Sequence, residues 1–339
     1  MRNKEILKYH KNIKLDELII RINDLLEPAE KERIDVLASQ INDTFPTLFL
    51  IGTPRSGSTL FMQWIASTGA YAYPSNFMSR FNRAPYISAL IYEMVTNPQY
   101  QYWDEFADIS NEIEFSSSIG KTSGFKAPHE FWYFWLRFMQ FPDIPFSEEQ
   151  FSRNFDFIMF QNELKLLKHA FQKPFIMKAH IIVWYLESVS KNLKNIIYLH
   201  LKRDPIDSVR SLLKAREKWT GSLEEWFTVK PKEYDILKTM DPFHQVAGQI
   251  YFMDREIHRK KHCLEDDYIQ VNYEEFCRDP ESVYDMITKK TAEMVPDFTI
   301  PEYRSIKEFH VSKPVSDIDD KIRKAYDFFE KKYGIINSE

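Results

Sequence analysis

From residue 5 to 45 apolar side chains recur at helical spacing: Ile6, Leu7, Leu15, Leu18, Ile19, Ile22, Leu25 and Leu26, then Ile34, Leu37 and Ile41. Steps of three and four place them on one face of a helix. Glu27-Pro28 interrupts the run, and an internal proline removes a backbone hydrogen bond, so the pattern predicts two helices divided there. At Thr47 the pattern changes. Thr47-Leu-Phe-Leu-Ile51 is a continuous apolar run of strand length, and Phe175-Ile-Met177, Ile196-Ile-Tyr-Leu-His-Leu201 and Tyr268-Ile-Gln-Val271 resemble it. Charged or turn residues bound each run, and helical patterns lie between them. Strands alternating with helices predict βαβ units and a buried parallel sheet. The stretch from about 75 to 172 reads as a mostly helical insert. No repeat, low-complexity tract or flexible linker divides the chain. The expected organisation is a helical extension over 1–46 and one α/β domain over 47–339. The extension either packs on that domain or serves as the dimerisation arm of a homodimer.

Composition narrows the function. The net charge is only −5 and no long basic run occurs, which argues against nucleic-acid binding. Cys263 and Cys277 form no CxxC pair, so neither a disulfide framework nor a zinc site is expected, and a reducing compartment fits. Charged residues interrupt the apolar positions of residues 1–20, leaving no signal-peptide core. Nowhere do about 18 apolar residues run together, so no membrane span is expected and the reading is cytoplasmic.

The chain holds eight glycines, yet Gly52 and Gly57 both fall in Gly52-Thr-Pro-Arg-Ser-Gly-Ser-Thr59, between a strand and a helix. Glycines there let backbone N–H groups turn toward an anion, and the following helix N-terminus adds its dipole. Ser56, Ser58 and Thr59 offer hydroxyls, and Arg55 offers a two-pronged donor. ATP-binding loops of this spacing carry lysine where Ser58 stands, and no convincing acidic Mg²⁺ partner is visible. An ATP-dependent kinase is therefore disfavoured. A second anion site follows the run 196–201: Lys202-Arg203-Asp204-Pro205 leads into a helix bearing Ser211. Pro205 suits a first helical turn, and Arg203 falls at a strand's carboxyl end, where open α/β sheets bind ligands. Two such sites imply a ligand with two separated phosphates.

Thr53-Pro-Arg-Ser-Gly-Ser-Thr59 resembles the 5′-phosphosulfate loop of sulfotransferases that use 3′-phosphoadenosine 5′-phosphosulfate (PAPS). Arg203-Asp-Pro-Ile-Asp-Ser-Val-Arg-Ser211 resembles their 3′-phosphate motif. Tyr273-Glu-Glu-Phe-Cys-Arg-Asp-Pro280 is similar to a later segment whose tyrosine lies by the adenine. The resemblance implies a three-layer α/β/α fold related to P-loop nucleotide kinases. It also implies PAPS as sulfuryl donor without a metal, because a sulfuryl group carries less charge than a phosphoryl group. Phe175-Ile-Met-Lys178-Ala-His180 resembles the Lys-x-His of cytosolic members, which makes His180 the expected general base. Two residues apart in a strand, Lys178 and His180 would share a face, with Lys178 and Arg55 stabilising the leaving phosphate. His129, Glu112 and Glu114 are the rival bases. Leu60 replaces the adenine-stacking tryptophan of cytosolic members, and their C-terminal Arg-Lys-Gly is missing, with Ser312-Lys313-Pro314 as a substitute. These departures place the chain nearer the divergent bacterial branch.

The acceptor stays open: a small molecule, carbohydrate or lipid, sulfated on a hydroxyl or amine. Phe131-Trp-Tyr-Phe-Trp-Leu-Arg-Phe-Met139 is apolar nearly all round a helix and reads as buried, with some of it free to wall a pocket alongside Trp184, Trp219 and Trp226. The competing classes are an ATP-dependent kinase-like transferase and a non-catalytic nucleotide-binding scaffold.

Overall fold

The computed structural model describes residues 12–103, 105–106, 109, 113–310 and 317–336. Strands β1 (Thr47–Ile51), β4 (Phe175–Lys178), β5 (Ile196–Lys202) and β6 (Tyr268–Asn272) are the four apolar runs of the sequence, and β2 (Ser117–Ser118) and β3 (Lys121–Thr122) form a separate hairpin. The four long strands pair in parallel in the order β4-β1-β5-β6. Phe49 of β1 stands beside Met177 of β4 and Tyr198 of β5. Because side chains alternate along a strand, Phe49, Ile51 and Met177 join a core with Phe134, Trp135 and Phe160 on one face. Leu48, Leu50 and Ile176 meet Phe61, Trp64 and Phe276 on the other. A parallel sheet needs cover on both sides, and it has it. Fully burying each such aliphatic or Phe side chain contributes about 1.5–3 kcal/mol. A third apolar cluster joins helices Pro205–Thr220, Pro242–Lys260 and Asp319–Tyr333. The result is a three-layer α/β/α, P-loop-like fold.

Two expectations change. The N-terminal segment is a single helix, Ile13–Gln40, with Pro28 inside it. Side chains on both sides of the proline grip one partner segment. Asn23 donates to the Arg80 carbonyl and accepts from the Arg83 N–H, while Glu30 accepts from the N–H groups of Tyr86 and Ile87. Those contacts hold both halves in line and outweigh the one backbone bond that proline removes. Glu30 thereby caps helix Pro85–Thr96 from outside its own chain segment.

The insert is helical at its ends, over Pro85–Thr96, Glu148–Asn154 and Phe157–Phe171, but not in its middle. There Ile119 and Gly120, both at positive φ (51° and 86°), turn the β2–β3 hairpin. Phe131, also at positive φ, opens a helix of one turn only, Trp132–Trp135. Phe131, Phe134, Trp135 and Phe138 are buried, whereas Trp132, Tyr133 and Leu136 face solvent, so this apolar stretch is not buried all round.

Candidate active site

All four parallel strands deliver functional candidates at their carboxyl ends. β1 runs into the loop 52–59, and helix Ser58–Ser67 starts behind Gly57. Gly57 has φ 95°, and a Cβ there would lie 2.1 Å from the Tyr273 ring. Backbone angle and space both demand glycine. Tyr273 comes directly after β6, so the sheet itself presses its ring on the loop.

The two anion motifs touch. Arg55 Nε donates to Ser211 Oγ at 3.1 Å, and Arg203 Nη1 donates to the Arg55 carbonyl at 3.0 Å. The Arg203 guanidinium lies 4.6 Å from the centre of the Tyr273 ring. Burial, then the neighbouring Arg203, lowers the Arg55 pKa, while Glu130 works the other way. Two guanidinium groups this close favour an anion between or beside them. Ser56 Oγ and Arg203 Nε are buried with no hydrogen-bond partner. A buried polar group left unpaired costs free energy that a bound ligand can recover.

At the end of β4, Lys178 Nζ donates to Thr59 Oγ1 at 2.9 Å and to Glu130 Oε1 at 3.1 Å. The strand stops there. Ala179 leaves the extended region and His180 opens the 3₁₀ turn His180–Tyr185, so the shared strand face expected for Lys178 and His180 is absent. They meet in one cleft nonetheless. Its lining is Glu130, Trp132, Trp135, Lys178, His180 and Ile181, around an empty volume of about 250 Å³ including its open mouth. The tip of the β2–β3 hairpin closes over the loop: a Cβ on Gly120 would stand 3.6 Å from Thr59 Oγ1 and 3.9 Å from Glu130 Oε1.

Hydrogen bonding separates the two candidate histidines. His180 Nδ1 lies 2.9 Å from the Gly52 carbonyl, which can only accept. Nδ1 therefore carries the hydrogen, and in the neutral ring Nε2 keeps its lone pair. Burial, and then the Lys178 charge, hold the His180 pKa down at about 4, against smaller upward pulls from Glu130 and Gly52. His129 is wired the opposite way. The Phe131 N–H donates to its Nδ1 at 2.9 Å, so Nε2 carries the hydrogen and the neutral ring has no free lone pair. His129 is also absent from the cleft lining. Glu114 is absent too, its backbone carbonyl being engaged by Gln63, and Glu112 lies outside the described residues.

Glu130 is the site residue that sequence reasoning missed. Its signal was faint: one carboxylate between Pro128-His129 and an aromatic run. Trp132 and Trp135 came from the aromatic stretch considered for a pocket wall, but Trp184, Trp219 and Trp226 do not line the cleft. Trp184 is buried in the core. Ser312-Lys313-Pro314 falls outside the described residues.

A sequence model of the sulfotransferase family matches residues 46–292, a span that holds all four parallel strands and both anion motifs. The chain belongs to the sulfotransferase family. No curated protein matches it. In overall shape this sulfotransferase is similar to a crystal structure of a Mycobacterium tuberculosis sulfotransferase, with TM-score 0.46 and 14% identity, covering 92% of this chain and 79% of that one. It is also similar to a Mycobacterium avium sulfotransferase, with TM-score 0.45 and 11% identity over 86% and 78% of the two chains. The sulfotransferase domain of a Synechococcus olefin synthase overlaps with TM-score 0.36 and 16% identity, over 75% and 74%. Among the described residues of this sulfotransferase, no helix is long and apolar enough to cross a membrane.

Proposed function

We propose that this sulfotransferase moves the sulfuryl group of PAPS to a hydroxyl, or an amine, of a small-molecule, carbohydrate or lipid acceptor by in-line displacement. The observation that carries this reading is the contact between the two anion motifs, with Arg55 bonded to Ser211 and to Arg203. A ligand with two separated phosphates suits that junction. The loop N–H groups with Arg55, Ser56, Gly57, Ser58 and Thr59 would hold the 5′ end. Arg203 and Ser211 would hold the 3′-phosphate, and Tyr273 would flank the adenine. The orphaned Ser56 Oγ and Arg203 Nε are donors of the kind this nucleotide needs.

In this reading His180 Nε2 takes the acceptor proton as the hydroxyl attacks sulfur. Lys178, Arg55 and the helix N-terminus balance charge on the departing phosphate, so the chemistry asks for no metal. In this reading 47–339 is the transferase domain and 1–46 its N-terminal extension, whose described helix Ile13–Gln40 packs on it. Two free cysteines fit a cytoplasmic setting.

The test is nucleotide selectivity by thermal shift, joined to transfer from labelled PAPS across sugar, lipid, phenol and amine acceptors. At 100 times its dissociation constant PAP, the desulfated nucleotide, adds about 2.7 kcal/mol to stability, several degrees in melting midpoint for a chain this long. AMP at equal concentration should do little, and Arg203→Ala should remove most of PAP's advantage. Equal shifts from PAP and AMP, or a larger one from ATP with Mg²⁺, would return the chain to the kinase class.

A further inference from the structure

The Lys178–Glu130 pair lies beside Thr59, where the PAPS reading puts the donor's sulfonate, and its two members differ in freedom. Lys178 is 6% exposed and fixed at the end of β4, whereas the Glu130 side chain is 44% exposed and reaches in from the insert. Lys178 also binds Thr59 of the loop, and a Cβ added at Gly120 would stand 3.6 Å from Thr59 Oγ1, 3.9 Å from Glu130 Oε1 and 4.0 Å from Arg55 Nη1. Glu130 therefore places a carboxylate inside a cradle of anion donors. A buried ammonium without a counterion costs several kcal/mol, and Glu130 supplies that counterion. A carboxylate and a sulfonate cannot both crowd one ammonium without like-charge repulsion. The lysine is walled in; the glutamate has room to leave.

We propose that Glu130 is a stand-in anion, holding Lys178 in place until the donor displaces it into the acceptor cleft. The inference rests on the PAPS reading above. The carboxylate faces Lys178 and His180 beyond β4, Arg55 of the loop, and His129 on its own segment, with the Trp132 indole N–H on its outer oxygen at 2.9 Å. Burial pushes its pKa up, but Lys178 and the hydrogen bonds from Lys178 and Trp132 outweigh this and hold it below the usual carboxylate range. Losing Lys178 to the donor removes the largest of those downward pulls, so the displaced carboxylate binds protons more readily.

Two measurements on the full chain test this. In titration calorimetry Glu130→Gln, and Glu130→Ala as a second variant, should bind PAPS about tenfold tighter than wild type, because no carboxylate competes for Lys178. Repeated between pH 5 and 6 in buffers of different ionisation enthalpy, PAPS binding should take up protons in wild type and none through this site in Glu130→Gln. A merely structural role, in which Glu130 positions Lys178, gives weaker PAPS binding in both variants and overturns the proposal. So does equal proton uptake by wild type and variant. If wild type itself binds neither PAPS nor PAP, the donor reading fails and takes this proposal with it. Wild-type binding with loosened variants sinks the stand-in anion alone.

Discussion

The two sides of the cleft, which the proposed function assigns to donor and acceptor, are built on different principles. Arg55, Arg203 and Tyr273 sit within four residues of strand ends whose neighbours are fixed by the parallel register of β1, β5 and β6, and Ser211 lies on the helix that follows β5. The geometry of the sheet sets their mutual distances. Glu130 and Trp132 come instead from the irregular middle of the insert, and Trp132 is 40% exposed. Only local turns and a few side-chain bonds, such as Trp132 to Glu130, place them. A side built on sheet register tolerates little change, while a side built on turns can be re-lined without disturbing the sheet. On the proposed function, donor chemistry belongs to the frame and acceptor choice to the insert.

Mutations can break that division. The largest effect belongs to the residue at the junction: His180→Ala should lower kcat for sulfuryl transfer about 10²–10⁴-fold and leave PAP affinity nearly intact. His129→Ala should cost less than about threefold if its Nδ1 bond is only structural. The reverse pattern would move the base to His129. Next comes the donor frame. Arg55→Ala removes a charged hydrogen bond worth roughly 1.5–3 kcal/mol, so calorimetric PAP affinity should fall about tenfold or more. Unchanged affinity would detach the loop from the nucleotide. Trp132→Ala tests the other side. Losing an aromatic wall worth about 1 kcal/mol should raise the acceptor KM a few-fold and leave PAP binding alone, and a loss of PAP affinity there would erase the division.

The smallest expected effect is a flat pH profile. With its pKa held near 4, His180 stays neutral from pH 7.5 to 5.5, so kcat/KM should change less than about twofold, where an ordinary imidazole would lose about tenfold of its basic form. A limb near pH 6.5 would mean that the ring is more hydrated than its surroundings indicate. The same lowering makes the unfolded chain the better proton binder between about pH 6.5 and 4. Stability therefore falls as pH drops through that window, and His200, lowered by burial to about 3, adds to the fall.

The contrast also explains what could be read from the sequence. Each parallel strand is a short apolar run between turn residues, and each anion motif is contiguous, so β1, β4, β5 and β6 and the residues after them were legible. Pro28 misled because its helix is held from Asn23 and Glu30 by a partner segment more than fifty residues away. The hairpin at Ile119-Gly120 carries no Asn-Gly or Asp-Gly signal and lies among residues with no apolar period. Glu130 matters only because Lys178, distant in sequence, ends its strand 3.1 Å away. Pairings of that range leave no local pattern.

The carboxylate of Glu30 has a practical consequence. It accepts the first two N–H groups of a helix in the insert, Tyr86 and Ile87, and Lys165 of the helix Phe157–Phe171 in turn bonds the Ala38 carbonyl. That second helix packs Phe160 and Leu164 under the aromatic floor of the cleft. A cut made at Thr47, where the strand pattern begins, would strip both anchors from the layer beneath the cleft while sparing the loop 52–59. On the proposed function, the fragment to expect from such a cut is one that still recognises its nucleotide and has lost its grip on what it modifies.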